Sequence, residues 1–252
     1  MDGDGIARGC DTVEGRNPVS ELLRTQRKVE RILAAKGLDP TGRRIVDRAR
    51  GMGICVEHVD RRRLDKLSRT GAHQGIIALV EQFRYAEGHE VIIEGARAVG
   101  QDPLVVVLDR VSDPHNLGAV IRTAHCCGAH GVIIPKRNAA GVTPAAVKAA
   151  AGAAGYMPVA QVTNTARALE QMKDMGLWIA GADVDGEIMY KADLKGPIAL
   201  VAGSEGKGLS RLVREKCDFL VSVPMKGVLS SLNVSVATGV LLYEVLRQRE
   251  YQ

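Results

Sequence analysis

Three short segments, far apart in the chain, hold the residues whose types and spacing are suited to chemistry. The first reads Asp113-Pro-His-Asn-Leu-Gly-Ala-Val-Ile-Arg122. Arg122 stands beside Ile121 and Ala124, and a guanidinium in an apolar helical segment needs an anionic partner. That partner is either a phosphate or carboxylate of a ligand, or a structural salt bridge. Asn116 and Arg122 are six residues apart, about 240° round a helix, so they share no stripe. With Asn116 as the helix cap, both can still border one site. The second segment is Gly203-Ser-Glu-Gly-Lys-Gly-Leu209. Its glycines let backbone amides approach a ligand closely, but the spacing fits neither the Walker nor the dinucleotide-binding pattern. It reads as a cradle for a small molecule, with Glu205 as acceptor, or as a tight turn. The third, Pro224-Met-Lys-Gly-Val-Leu-Ser-Ser-Leu-Asn-Val-Ser235, opens a long helix. Ser230 or Ser231 is the expected cap, and Asn233 and Ser235, both poor helix formers, invite a capping or a binding explanation.

The elements that must position these segments follow from hydrophobic periodicity. Residues 103–109 form a continuous apolar run, as in a strand buried on both faces. Further strands are expected at 131–134, 157–162, 177–182, 198–202 and 219–223. Helices are expected at 116–127, 143–153, 165–175, 209–215 and 231–249. Strands alternating with helices imply an α/β fold with a parallel sheet covered on both sides. Ligands in such sheets bind at the carboxyl ends of strands, which singles out the loops after Asp109, Ala202 and Val223.

The first third differs in charge. Through residue 85 there are 17 basic and 12 acidic side chains, and the remainder is balanced at 17 and 17. The whole formal +5 therefore sits before residue 86, most densely over 24–69. Here Asn17-Pro18 reads as a helix start, with basic helices at 41–50 and 60–67 and strands at 54–59 and 76–80. This is a small alternating α/β unit ending near residue 82. A solvated face would explain any one arginine, but the clustering favours RNA or DNA. Residues 1–11 are expected to be a disordered tail, 12–82 an RNA-binding domain, 83–102 a linker in which 90–99 can be helical, and 103–252 the catalytic domain.

Other classes fall away. Apolar runs are far shorter than the ~18 residues a membrane span needs, and no basic-then-apolar leader opens the chain, so a cytoplasmic protein is expected. Five cysteines, an odd number without C-x-x-C, fit a reducing compartment. His125, Cys126, Cys127 and His130 have the composition of metal ligands, but adjacent helical cysteines point about 100° apart, so no metal is expected.

Taken together, Asn116-x-Gly118-x-x-x-Arg122, Gly203-x-Glu205-x-x-Gly208, and Pro224-Met-x-Gly227 with Ser231-Leu-Asn-Val-Ser235 resemble the three motifs of the SpoU family of RNA ribose 2′-O-methyltransferases. This family is TrmH-like and belongs to the SPOUT superfamily. Residues 12–82, with Gly15-Arg-Asn-Pro-Val19 and His73-Gln-Gly-Ile-Ile77, resemble the ribosomal-protein-like substrate-binding domain of its 23S rRNA guanosine-2′-O branch. The resemblance implies an α/β catalytic domain with a deep C-terminal trefoil knot and a homodimer through that domain with a composite active site. It implies S-adenosylmethionine held around Ala202, Gly203, Val223, Met225, Gly227 and Leu232. Asn116, Arg122, Glu205, Ser231 and Asn233 match functional positions of the family. RNA contacts are expected at Arg16, Asn17, Arg43, Arg44, Arg61, Arg62, His73 and Gln74. Two departures, Ala150 where many relatives have Ser and Gly155 where many have Glu, touch fine contacts rather than reaction class.

The chemistry so implied joins a weak nucleophile, the ribose 2′-OH, to a methyl electrophile, so the site must orient both and ease proton loss. A guanidinium is always protonated, which makes stabilisation of the developing alkoxide an easier role for Arg122 than general base. With eight aromatic residues in the chain, broad base stacking is not expected; shape, phosphate and 2′-OH contacts are. The alternatives are a tRNA guanosine-18 2′-O-methyltransferase and a non-catalytic RNA-binding or ribosome-assembly protein of the same fold.

Overall fold

A computed structural model describes residues 10–24, 28–68, 71–228 and 231–251. The chain divides into two compact units, Met1–Arg84 and Tyr85–Gln252. In the first, four strands, β1 (Cys10–Glu14), β2 (Val29–Ala35), β3 (Cys55–Val59) and β4 (Ile76–Glu81), form one sheet in the order β1-β4-β2-β3. β4 runs antiparallel to β1 and β2, whereas β2 and β3 are parallel. The helices are α1 (Arg16–Leu22), α2 (Pro40–Gly51) and α3 (Arg61–Leu67).

Two expectations change here. Residues 1–9 of the expected tail lie outside the described residues, but Cys10 and Asp11 are strand, paired with Glu81 and Val80. α1 begins at Arg16 with Gly15 before it, so Asn17 lies in the first turn and makes no cap bond. α2 is capped instead by Asp39, whose carboxylate accepts from the Gly42 amide at 2.9 Å. Ile45, Val46 and Ala49 face inward from it onto a core that includes Ile32, Leu33, Ile76 and Ile77.

The second unit contains six parallel strands in the order β10-β8-β9-β5-β6-β7. They are β5 (Leu104–Asp109), β6 (Gly131–Pro135), β7 (Val159–Val162), β8 (Trp178–Ile188), β9 (Ile198–Gly203) and β10 (Phe219–Ser222). β5 is buried along its whole length, as a central strand covered by helices must be. The helices are α4 (His89–Ala98), α5 (Pro114–Cys126), α6 (Pro144–Ala149), α7 (Thr165–Asp174), α8 (Arg211–Glu215) and α9 (Val234–Glu250).

The stretch 83–102 is not a bare linker. α4 buries Ile92, Ile93 and Ala96, and Ile92 and Ile93 join the core formed by Val105, Val107 and Ile133. The helix expected over 143–153 breaks after α6, where Ala151 and Gly152 adopt φ of 48° and 95° before a short 3-10 turn, Ala153–Gly155. β8 continues well past residue 182 and pairs with β10 across a register shift. α5 approaches α6 closely because Gly118 has no side chain; a Cβ there would lie 2.3 Å from the Ala146 carbonyl oxygen. Among the described residues no helix is long and apolar enough to cross a membrane, and no cluster of three or more His, Cys, Asp or Glu is arranged to hold a metal.

Candidate active site

The three segments open from the carboxyl ends of β5, β9 and β10, which lie in one parallel sheet. Pro114 occupies the first turn of α5 and Asp113 caps it, accepting from the His115 amide at 2.9 Å. Asn116 is therefore inside the first turn rather than at the cap, and it is buried. Its side-chain amide donates to Glu205 Oε1 at 3.2 Å. The cap of α9 is Asn233 rather than Ser231; Ser230 lies outside the described residues. Asn233 Oδ1 accepts from the amides of Ser235 (2.9 Å) and Val236 (3.3 Å). At its other end Asn233 Nδ2 donates to Asn116 Oδ1 at 3.0 Å and to Glu205 Oε1. One residue from each segment thus meets in a single hydrogen-bonded cluster.

Glu205 stands at the tip of a tight hairpin. Ser204 and Gly208 exchange backbone hydrogen bonds of 3.1 and 2.9 Å, and Gly203 packs so closely against the far side that a Cβ would fall 2.1 Å from the Gly208 carbonyl carbon. Only glycine closes this turn. Its base is tied to β5 by Asp109, a buried carboxylate that accepts from the Ser210 amide at 2.6 Å. Gly203 is the register partner of Asp109.

Beside the hairpin is a cavity of 340 Å³. Of the residues expected to hold a cofactor, Ala202, Gly203, Val223, Met225 and Leu232 line it and Gly227 does not; Glu205 and Ser231 also line it. Asp183 and Val184, from the extension of β8, complete one wall. Sequence reasoning missed these two because Asp183-Val-Asp-Gly looks like a loop rather than a strand. Arg214 holds Asp183 at 3.0 Å, and this carboxylate raises the Arg214 guanidinium further above its ordinary range. The nearby Cys217 thiol is pushed up to about 12 by burial, so it is not a nucleophile at neutral pH. Glycine-cradled backbone, an apolar side of Val221, Val234 and Leu241, and the polar groups of Asp183, Glu205 and Lys207 suit a small, largely apolar molecule with a few polar groups.

Arg122 is not drawn into this cluster. It projects from α5, exposed to solvent, is absent from the cavity lining, and forms no hydrogen bond or ion pair among the described residues. No structural salt bridge accounts for it among the described residues. Next to it runs a separate apolar groove of 620 Å³ along α5 and α9, lined among others by Ala119, Thr123, Tyr190, Val236, Gly239 and Tyr243. At its edge two hydrogen bonds from Arg247 hold the Glu244 carboxyl below the usual carboxylate range against the opposing effect of burial.

In the first unit Arg44, Arg61 and Arg62 are exposed and make no ion pair among the described residues. Arg16 is committed to Asp39 (2.6 Å) and to the Gln74 carbonyl (3.3 Å), and Arg43 donates to the Leu38 carbonyl at 2.9 Å. Asn17 and Gln74 are exposed. His73 overturns the expectation of an RNA contact: it is 2% exposed. Its Nδ1 accepts from the Gly75 amide (3.0 Å), so Nε2 carries the proton toward Asp65 (2.9 Å). Both nitrogens are spent on holding the 71–75 loop.

The SpoU rRNA Methylase family matches residues 103–243, more than half of the chain and all three segments of the cluster. The chain belongs to the SpoU family. A second match, RNA 2′-O ribose methyltransferase substrate binding, covers residues 12–86. Among curated relatives, a Bacillus subtilis protein carrying the name TrmH family tRNA/rRNA methyltransferase is 45% identical, over 95% of this chain and 96% of its own length. The 23S rRNA (guanosine-2′-O-)-methyltransferase RlmB of Photobacterium profundum is 42% identical, over 95% and 98%. Among solved structures, the SpoU methyltransferase AviRb of Streptomyces viridochromogenes, crystallised with S-adenosylmethionine, superposes with a TM-score of 0.62 at 29% identity, over 95% of this chain and 90% of that one. SpoU enzymes use S-adenosylmethionine, and the cavity beside the 203–208 hairpin suits it.

Proposed function

We propose that this SpoU protein transfers a methyl group from S-adenosylmethionine to a ribose 2′-OH of RNA, with a guanosine of 23S rRNA as its substrate. The observation that carries the reading is the cluster of Asn116, Glu205 and Asn233, one residue from each family motif, beside a cavity suited to the cofactor. The rRNA assignment rests on the RlmB relative together with the basic first unit. It also puts the enzyme's action in the cytoplasm.

S-adenosylmethionine supplies an electrophilic sulfonium methyl. Ala202, Gly203, Val223, Met225 and Leu232 would hold it, and Glu205, fixed by two amide donors, would keep the hairpin in the shape that admits it. Asn116, Ser231 and Asn233 orient the ribose. Arg122, a permanent cation, stabilises the alkoxide that develops as the 2′-OH gives up its proton to solvent water.

Arg122 lies outside the cavity of its own chain, which fits a composite site. The apolar groove takes in Ala119 and Thr123, which flank Arg122 in α5, and Val236, Tyr190 and Tyr243 there are half or more exposed. A second copy of this chain is the occupant that both completes the site with its Arg122 and covers this face. The deep trefoil knot of the family fold belongs to the same reading. The test mixes two inactive variants, Arg122→Ala and Asn233→Ala. Subunit exchange should restore methyl transfer to unmodified 23S rRNA, because each mixed dimer keeps one intact site; no recovery after exchange refutes the composite site. Binding of RNA without any transfer by the wild-type chain would favour the assembly-factor alternative.

A further inference from the structure

We propose that His125 and Tyr156 form a stacking platform for an RNA base next to the methylated ribose. The rings lie nearly parallel, 16° apart with centroids separated by 5.6 Å. Tyr156 is 78% exposed, the most exposed of the chain's eight aromatic residues, and His125 is exposed too. In a chain with so few aromatics, a pair standing together in solvent is not surplus core. At that separation the rings are offset rather than face to face, and their faces remain open to a third planar group.

Position gives the pair its meaning. His125 follows Arg122 by three residues on α5, about 4.5 Å along the axis and about 60° round it, so the two share a stripe. Thr123, which lines the apolar groove, is about 200° away from His125, and Ala119, which lines it too, about 120°, so the rings stand off the groove's own stripe. Tyr156 is brought alongside by the chain reversal at Ala151 and Gly152. The reversal is anchored because α6 packs against α5 at Gly118. Around Gly152 and Gly155 there is no atom within 4 Å of where a side chain would begin, which leaves a low shelf next to the rings on which a planar base can lie.

The chemistry fits a nucleobase rather than a phosphate. Base–aromatic stacking contributes about 1–3 kcal/mol per base without reading its identity. The platform would hold a neighbour of the target nucleotide out of its stack while Arg122 meets the ribose, so the proposal rests on that role for Arg122.

The test measures binding of an unmodified 23S rRNA transcript to the full chain saturated with S-adenosylhomocysteine. Tyr156→Leu should weaken binding about 5- to 150-fold, the span that this stacking energy sets. Tyr156→Phe and Tyr156→Trp should stay within about twofold of wild type, since the ring and not the hydroxyl is the contact. The loss should be the same at low and high salt, unlike that of a phosphate contact, and affinity for S-adenosylmethionine should not move. Unchanged RNA binding by Tyr156→Leu overturns the proposal, as does an equal loss in Tyr156→Phe. A changed oligomeric state with unchanged RNA affinity also overturns it, by showing that the ring serves a protein contact. Arg122→Ala, assayed for methyl transfer in parallel, separates the two claims. Its inactivity alongside normal RNA binding by Tyr156→Leu leaves Arg122's role standing and removes the platform. Full activity removes the role of Arg122, and with it the location claimed for the rings.

Discussion

Asn233 performs two jobs through the two ends of one side chain, and substitutions can separate them. Its oxygen caps α9 and its nitrogen donates to Asn116 and Glu205. Asn233→Ala removes both. Losing the cap costs about 0.5–2 kcal/mol, which for a unit of this size lowers Tm by about 2–4 °C per kcal/mol. Asn233→Asp keeps an acceptor at the helix start, where a negative charge adds about 0.3–1 kcal/mol, so the cap survives and any fall in its Tm comes from the other end of the side chain. At the other end, however, a carboxylate now faces Glu205. Two donated hydrogen bonds are lost, about 0.5–1.5 kcal/mol each. Both groups are exposed, so their repulsion takes the water-like value of about 1 kcal/mol. Together these amount to about 2–4 kcal/mol, or about 30- to 1000-fold in kcat/KM. Thermal unfolding followed by circular dichroism, with methyl transfer from labelled S-adenosylmethionine, reads both quantities. An Asn233→Asp protein that is stable and fully active would refute the reasoning, because it would show that the amide bridge to Glu205 has no part in function.

Arg122→Lys keeps the charge but loses the planar fork; methyl transfer should fall at least tenfold by single-turnover assay, and near-wild-type turnover would remove the need for a guanidinium. Gly203→Ala sets a Cβ 2.1 Å from the Gly208 carbonyl carbon, which must open the hairpin; calorimetry should show S-adenosylmethionine affinity reduced more than tenfold, and an unchanged affinity would sever the hairpin from the cofactor. Arg61→Glu with Arg62→Glu should weaken rRNA binding and flatten its salt dependence, each lost phosphate contact reducing the log–log slope by about 0.7–0.9; an unaltered slope would show that these arginines are merely solvated. His130 is held below its ordinary value of 6.5, first by burial and then by the Arg249 cation. The unfolded chain therefore takes up the proton first, so this contribution to stability is complete above about pH 6.5 and is lost as pH falls through the folded value. The denaturant midpoint should drop between pH 7 and pH 5, and His130→Asn should lessen that drop; an identical pH slope in the variant would exclude His130.

What the sequence made legible, and what it hid, follows from the kind of signal each residue carries. β5 and β9 were readable because continuous Val, Leu, Ile and Ala runs have few alternatives to a strand buried on both faces. The starts of α5 and α9 were not, because several capping residues stand in a row. Asn116 has the right type, but Pro114 fixes the first turn earlier and leaves the cap to Asp113. Ser231 loses to Asn233 in the same way. β1 was invisible because Val13 is its one fully buried residue, and the polar second half of β8 takes its strand form from pairing with β10. α4 carried a clear amphipathic pattern, yet its position between two units invited the reading of a connector.

The candidate site was legible as residue types but not as geometry. The loops after β5, β9 and β10 were expected to hold the chemistry, and their Asn116, Glu205 and Asn233 do meet. Nothing in spacing announced that Asn233 would join cap and cluster, or that Asp109 would pin the hairpin from 101 residues away. His73 shows the reverse: a polar residue in a basic unit looked like a contact for RNA, but its hydrogen bonds allow it to be buried. Arg122 stands between these cases. The sequence demanded an anion for it, and this chain supplies none among its described residues.

The central claim is tested most directly by mapping ribose 2′-O-methylation across rRNA and tRNA from cells with and without this protein. The account predicts that one guanosine of 23S rRNA loses its mark in the deletion and regains it when the purified wild-type chain acts on that rRNA with S-adenosylmethionine. A lost tRNA mark with intact rRNA would reverse the substrate, and no lost mark in either RNA would contradict the methyltransferase reading itself.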